Sequence, residues 1–348
     1  MPAMSKRTQI LSADAAGVAA AAAILRAGRL VAFPTETVYG LGGDALRDAP
    51  VAAIFAAKGR PAEDPLIVHL ADAADLPRVV AAVPALAAAL AAALWPGPLT
   101  LVLPRGPAVP AAVSAGRDSV AVRVPAHPVA RALIAAAGTP LAAPSANRFG
   151  HTSPTTAAHV LADLDGRIDA VLDGGPTPIG VESTVLDLTA AVPTLLRPGG
   201  VSLEELRALL GEVRVGGRAA AAGGQIAPGL LEKHYAPRSP LLLCVGPAHA
   251  ALAWLRERAA AEIAAGRRVG LLLPAEDAAA LAGIGADVEP LGPAADLATV
   301  ARRLYAALRA LDERRPDIIL ARDLGEIGLA RAIRDRLTRA AAGQVVQL

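Results

Sequence analysis

One cysteine, Cys244, stands alone in 348 residues, and aromatic side chains make up only 2% of the chain. A single thiol excludes a disulfide within the chain and any metal site built on clustered Cys ligands. No stretch of about 18 strongly apolar residues runs free of charge, so no membrane-spanning helix is expected. The Ala-rich run from Ala15 to Ala23 is too short, and Leu25-Arg26-Ala27-Gly28 closes it like a helix end. Lys6 and Arg7 are followed by no apolar region with a cleavage site. The expectation is a soluble cytoplasmic protein without a membrane partner. Charge is also short of a bias: residues 1–215 carry 17 Lys+Arg against 18 Asp+Glu, and residues 216–348 carry 17 against 14. Neither part is a polybasic nucleic-acid domain by balance, although total charge does not report a local basic groove. The G-x-x-x-x-G-K-[ST] of a P-loop, the H-E-x-x-H of a zinc enzyme and the G-x-S-x-G of a nucleophile elbow are all missing. No protein-bound metal is expected.

What is present is abundant small apolar side chains, with 54% of residues hydrophobic and Ala and Leu supplying most of them. The length exceeds the usual size of one core, so two domains are expected. Ser12 to Ala27 reads as a first helix with Ser12 as its N-cap. Strands are read at Arg29–Phe33, Leu66–Leu70, Leu99–Leu103, Ser119–Val124, Leu141–Ala143, Ala170–Asp173, Thr184–Leu188 and Thr194–Arg197. Helices are read at Ala49–Ala57, at two Ala/Leu-rich stretches after Leu70, and at Pro128–Ala137. Ser153 followed by Pro154 reads as a further helix start. Ser202 with Glu205 three residues on reads as a capping box. Residues 216–239, rich in Gly and Pro, read as a linker. Beyond them strands at Leu241–Val245, Val269–Leu273, Asp287–Pro290 and Ile318–Ala321 alternate with helices. That alternation predicts a small parallel sheet.

Several polar groups sit where strands end. Pro34-Thr35-Glu36-Thr37-Val38-Tyr39-Gly40-Leu41-Gly42 follows a buried strand, and strand ends are where open α/β sheets bind ligands. An ordinary strand–loop turn accounts for the segment equally well. Lys58 and Arg60, in a loop held by prolines, suit a polyphosphate, but a solvated surface pair has the same composition. His69 closes an apolar strand, where a core histidine is the commoner reading. In Ser119-Val120-Ala121-Val122-Arg123 the alternation puts Ser119, Ala121 and Arg123 on one face. An Arg in a buried strand needs an anionic partner, either an internal carboxylate or a substrate carboxylate. Ser145, Asn147 and Ser153 cluster at a strand end and an expected helix start, a setting that favours phosphate as well as plain capping. Ser183 and Arg197 each adjoin a strand and a turn.

Taken in order, Phe33-Pro34-Thr35-Glu36-Thr37-Val38-Tyr39-Gly40-Leu41-Gly42, Lys58-x-Arg60-Pro61 with Pro65-Leu66-Ile67-Val68-His69, Trp95-Pro96-Gly97-Pro98-Leu99-Thr100, Val122-Arg123-Val124-Pro125, Ala143-Pro144-Ser145-Ala146-Asn147 and Gly180-Val181-Glu182-Ser183-Thr184 resemble the YrdC-like threonylcarbamoyl-AMP synthase family. The likeness covers roughly residues 10–212. With His234-Tyr235-Ala236-Pro237 and the α/β segment after it, the chain resembles the long, two-domain form. The resemblance implies an α/β fold: a YrdC-like twisted open mixed sheet with flanking helices over residues 1–215, a linker or lid over 216–239, and a smaller Rossmann-like parallel α/β domain over 240–348.

It also implies a reaction, in which L-threonine, bicarbonate and ATP give L-threonylcarbamoyl-AMP and pyrophosphate. The threonylcarbamoyl group then passes to a tRNA adenosine through a partner transferase machinery. Carried onto this chain, the threonine site comprises Thr37, His69, Arg123, the backbone of Ala143, and Ser183. The ATP site comprises Lys58, Arg60, Asp64, Ser119, Ser145, Asn147, Ser153, Arg197 and, from the linker, Tyr235. Lys58 and Arg60 carry the catalytic charge stabilisation, and Mg2+ arrives with ATP. Family members usually have Asn where this chain has Asp64. An ionised Asp beside a triphosphate is repulsive unless Mg2+ or the neighbouring cations offset it. The competing reading is a double-stranded RNA-binding module without adenylylating activity, and a weak RNA contact is compatible with either. A hydrogenase-maturation carbamoyltransferase contains a similar domain, but needs zinc-finger cysteines and a further module for which this chain has no place.

Overall fold

The computed structural model describes residues 7–216 and 234–348. Most of the linker reading, residues 217–233, therefore lies outside the described residues. The chain divides into two compact units, one formed mainly by residues up to 230 and one from residue 231 onward that also takes in residues 150–152 and 179–181.

The first unit is built on one sheet. Its strands are β1 (Gln9–Ser12), β2 (Val31–Phe33), β3 (Gly40–Asp44), β4 (Ile67–His69), β5 (Leu99–Pro104), β6 (Ser119–Arg123), β7 (Leu141–Ala142), β8 (Ala170–Asp173), β9 (Thr184–Asp187), β10 (Thr194–Arg197) and β11 (Arg214–Val215). They lie in the order β1-β8-β2-β3-β7-β4-β6-β5-β9-β10-β11. Pairing is mixed: β4 and β6 run parallel, as do β5 and β9, while β3, β7 and β5 run antiparallel to their neighbours β2, β4 and β6. The expected twisted mixed sheet is therefore present.

One face of this sheet is closed by a continuous apolar core. Val68, Leu101, Val122, Ala142 and Leu186 pack there against helix residues Val51, Ile54, Leu90, Val160 and Leu206. Each such side chain contributes roughly 1.5–3 kcal/mol on full burial. The opposite face is divided. Towards β2 and β7, Val31, Phe33, Leu141 and Ala143 are covered by Ala21 and Leu25 of helix Ala15–Arg26 and by Leu133 and Ile134 of helix Pro128–Ala137. In the middle of the sheet only Ile67, Val102, Ala121 and Val185 form a small separate apolar cluster.

Local chemistry explains where elements start. The Ala-rich helix Ala15–Arg26 is capped by Asp14, whose carboxylate accepts from Gly17 N at 2.8 Å, so the Ser12 cap is corrected. Ser12 instead ends β1 and donates to Asp14. Ser153 likewise does not start a helix. Thr156 caps Ala157–Leu164, its hydroxyl accepting from His159 N. The capping box of Ser202 and Glu205 is present. The segment after Pro34 is not wholly a loop, because Gly40–Asp44 is a strand antiparallel to β2. Its glycines make that pairing feasible: a Cβ on Gly42 would lie 2.8 Å from the Phe33 ring.

The second unit holds a sheet of parallel strands β12 (Leu241–Val245), β13 (Val269–Leu273), β14 (Asp287–Pro290), β15 (Ile318–Arg322) and β16 (Val345–Gln347), ordered β14-β13-β15-β12-β16. Leu242, Leu271, Leu273 and Leu320 pack with Leu255 and Ala259 of helix Ala248–Ala264. Within this unit Ala236 N donates to Gly150 O at 2.9 Å. Among the described residues no helix is long and apolar enough to cross a membrane.

Candidate active site

Register places most of the expected site residues of the first unit on one side of its sheet. His69 of β4 pairs with Arg123 of β6, and Ile67 with Ala121. Across the antiparallel pair, Val102 of β5 meets Ala121, which leaves Thr100 on the same face as Arg123. Thr100 pairs with Val185 of β9, so Ser183 continues that face. Arg197 of β10 is opposite Val185. Ala143 is tied to β4 by its N–H donating to Ile67 O at 2.9 Å, and Ser145 bridges Gly40. The four small apolar residues Ile67, Val102, Ala121 and Val185 thus form a floor, and His69, Arg123, Thr100, Ser183, Arg197 and Ser119 surround it.

Arg123, buried at the C-terminal end of β6, is held on three sides. Its Nε donates to Gly97 O at 3.1 Å, its Nη1 donates to Thr37 Oγ1 at 2.9 Å, and its Nη2 lies 2.5 Å from Glu36 Oε1. Thr37 is fixed in turn by Thr35, 2.9 Å away between hydroxyls. An internal carboxylate thus meets part of the demand of this buried Arg for an anionic partner. Burial pushes the Glu36 carboxyl up, but Arg123 and the Ala126 N–H outweigh it and hold the group below the usual range. Burial, then the charge of Arg123, lowers His69 to about 3. Its ring is neutral at pH 7, edge-on to Phe33 with centroids 6.3 Å apart, and its Nδ1 is 3.3 Å from Ile67 O.

Lys58 and Arg60 are buried as well, rather than solvated. Lys58 ends helix Asp48–Lys58, with Gly59 behind it in the left-handed region at φ 63°. Its Nζ donates to both Ser145 O and Asn147 O at 2.5 Å, which pins the Pro144–Arg148 turn to the helix end. Burial depresses the Lys58 ammonium well below the ordinary lysine range. Arg60 curls round its own loop: Nε donates to Asp64 O at 3.0 Å, Nη2 donates to Pro65 O at 2.7 Å, and Nη2 lies 2.9 Å from Asp64 Oδ2. Burial raises the Asp64 carboxyl, opposed by Arg60, Lys58 and Arg197, so these cations share one neighbourhood. Arg197 donates through Nε and Nη2 to Ser183 O, and Nη2 also reaches Ser183 Oγ at 3.1 Å. Ser183 Oγ is 2.8 Å from Thr100 Oγ1.

Two of the expected ATP ligands already contact protein groups. Ser153 donates its hydroxyl to Glu182 Oε1 at 2.6 Å. Tyr235 belongs to the second unit, where it is buried between His234, Tyr305 and the Arg336 guanidinium, at ring-centroid distances of 4.1 and 5.8 Å and a cation-to-centroid distance of 5.2 Å. Its φ of 60° is in the left-handed region, uncommon for an aromatic residue. Ser119 and Ser145 are half-exposed, and Asn147 is buried, its Nδ2 donating to Arg148 O. Glu36 and Thr100 were not singled out in the sequence. The signal for Glu36 was the need of Arg123 for an anion. The signal for Thr100 was its alternation with the apolar residues of β5. Among the described residues no group of three His, Cys, Asp or Glu side chains is placed to hold a metal.

Residues 23–199 match the Sua5/YciO/YrdC family model described as Telomere recombination. Residues 201–342 match the model described as Threonylcarbamoyl-AMP synthase, C-terminal domain. The threonylcarbamoyl-AMP synthase of Bacillus subtilis (strain 168) is 46% identical over 343 residues, 98% of this chain and 97% of that protein. The synthase of Pyrococcus abyssi (strain GE5 / Orsay) is 44% identical, over 94% of this chain and 95% of that protein. The crystal structure of P. abyssi Sua5 complexed with L-threonine superposes with a TM-score of 0.93 at 41% identity, covering 98% of this chain and 100% of that one. With both family models in sequence and whole-length likeness in sequence and fold, the chain belongs to the threonylcarbamoyl-AMP synthase family.

Proposed function

We propose that the protein is a nucleotidyltransferase that makes L-threonylcarbamoyl-AMP from L-threonine, bicarbonate and ATP, with release of pyrophosphate. The observation that carries this reading is the single sheet face on which His69, Arg123 and Ser183 surround an apolar floor, beside the cations Lys58, Arg60 and Arg197. An amino acid with a small apolar substituent and one negative end suits the first group. A triphosphate suits the second. Kinship with whole-length synthases supports the same assignment.

In this reading Arg123, oriented by Gly97 O and Thr37, takes the threonine carboxylate, while neutral His69 and Ser183 contact the rest of the molecule. The threonine amine first captures bicarbonate with loss of water to give a carbamate, and a carbamate oxygen then attacks the α-phosphorus of ATP. The bond to the β-phosphate oxygen breaks and pyrophosphate leaves. No enzyme nucleophile is needed, so catalysis rests on placement and on fixed positive charge. Lys58 shapes the Ser145–Asn147 turn, and Arg60 and Arg197 face the phosphates. Ser119, Ser145, Asn147, Ser153 and Ala143, all of the first unit, keep the roles that the resemblance gives them. Magnesium enters as part of the nucleotide substrate and neutralises phosphate charge. The product serves a tRNA threonylcarbamoyl-transferase machinery, and the proposed setting is the cytoplasm. Nothing in the fold or the comparisons favours an RNA-binding module.

The deciding experiment measures pyrophosphate release with magnesium, ATP and bicarbonate, with and without L-threonine. Release that depends on threonine, and is poor with serine, is expected. Release indifferent to threonine overturns the reading.

A further inference from the structure

Asp64 is an acid set among the cations of the proposed phosphate region. It is 2% exposed, and its Oδ2 lies 2.9 Å from Arg60 Nη2. Beyond that contact with Arg60, neither carboxylate oxygen has a hydrogen-bond donor among the described residues. Ionised carboxylates in protein interiors ordinarily collect several directed donors. Asp64 has a single such donor, the Arg60 guanidinium.

The Arg60 guanidinium, by contrast, does not need the carboxylate to stay in place. Two backbone carbonyls, Asp64 O and Pro65 O, already fix its Nε and Nη2. The Asp64 side chain therefore adds charge more than position. Lys58 and Arg197 act on it together with Arg60, so its charge is felt by every cation assigned to phosphate here.

We infer that Asp64 is a built-in counter-anion that occupies Arg60 when no nucleotide is bound and discriminates against polyphosphates that arrive without a divalent cation. The inference rests on the assignment of Lys58 and Arg60 to phosphate. A bare polyphosphate must either displace the carboxylate from Arg60 or settle beside a second negative charge in a buried site. A polyphosphate carrying magnesium brings positive charge that offsets the same carboxylate. Asp64 is in this sense a specificity-determining residue for the charge state of the nucleotide.

The test is calorimetric binding of inorganic pyrophosphate and of ATP, each in EDTA and in excess magnesium, to the full-length protein and to Asp64→Asn and Asp64→Glu. Asp64→Asn is expected to bind metal-free pyrophosphate at least about tenfold more tightly, the scale of one partly screened like charge at close range. The gain shrinks in magnesium, and Asp64→Glu shows none. Should Asp64→Asn fail to fold, Asp64→Ser is read in the same way. The unsubstituted protein gives a second reading, since it must prefer magnesium pyrophosphate to the metal-free ion. Equal affinities there, or no gain in the neutral variant while the parent protein binds, overturn the inference alone. If no form binds ATP or pyrophosphate in either condition, the phosphate assignment falls with it.

Discussion

The Glu36 carboxylate and the Arg123 guanidinium approach to 2.5 Å, both buried, at the end of β6 where the amino acid is proposed to bind. Loss of one member leaves the other without compensation. Arg123→Ala is expected to cost on the order of 3–5 kcal/mol of stability as well as threonine affinity. Glu36→Gln with Arg123→Met should recover much of that stability in urea unfolding, while threonine binding by calorimetry stays lost. Recovery of threonine binding in the double variant would show that Arg123 does not hold the carboxylate.

His69 gives a pH signature. Its folded pKa is depressed to about 3 from an unfolded value near 6.5. Between those values the unfolded chain binds more protons, so stability is full above about pH 6.5 and falls as the pH drops towards 3. The contribution is on the order of a few kcal/mol. His69→Gln should flatten the urea midpoint against pH across that window. An unchanged slope would mean that the ring is not held neutral by burial.

Lys58→Met removes the donor shared by Ser145 O and Asn147 O. The buried Asn147 carbonyl loses this donor at a cost of about 1–3 kcal/mol, and the part-buried Ser145 carbonyl at a smaller one. Threonine-dependent pyrophosphate release should fall by orders of magnitude, whereas calorimetric threonine binding should change little. A parallel loss of threonine affinity would mean that the Ser145–Asn147 turn supports both halves of the site.

Gly42→Ala places a Cβ 2.8 Å from the Phe33 ring. Overpacking of this kind costs about 1–3 kcal/mol. Thermal unfolding should show it, and Phe33→Leu in the same chain should relieve part of it. Since Phe33 also packs edge-on to His69, threonine affinity should weaken in the single variant and partly return in the double one.

Much of the fold was legible where local chemistry decides it. Pro128–Ala137, Ala170–Asp173, Thr194–Arg197, Leu241–Val245 and Val269–Leu273 stand at the bounds read from the sequence. Alternation in Ser119–Arg123 correctly put Arg123 and Ala121 on one face. What the sequence hid depends on partners far along the chain. β3 is Gly-Leu-Gly-Gly-Asp, poor in strand-forming residues, and is a strand because its bare backbone fits against Phe33. β1, β11 and β16 are short pieces whose identity comes from the strand beside them. Ser12 and Ser153 look like caps in one dimension, yet Asp14 and Thr156 take those positions. For the site, the residue types were readable but their pairings were not. Neither the Glu36–Arg123 contact nor the turn of Arg60 onto its own loop follows from spacing.

The sheet order carries a consequence for biogenesis. β4, β6, β5 and β9 lie side by side, yet they are drawn from stretches separated by helices, and Arg197 arrives on β10 later still. Contacts so distant along the chain form late in folding. A nascent polypeptide therefore lacks the complete cleft until the residues of β10, Arg197 among them, have emerged from the ribosome.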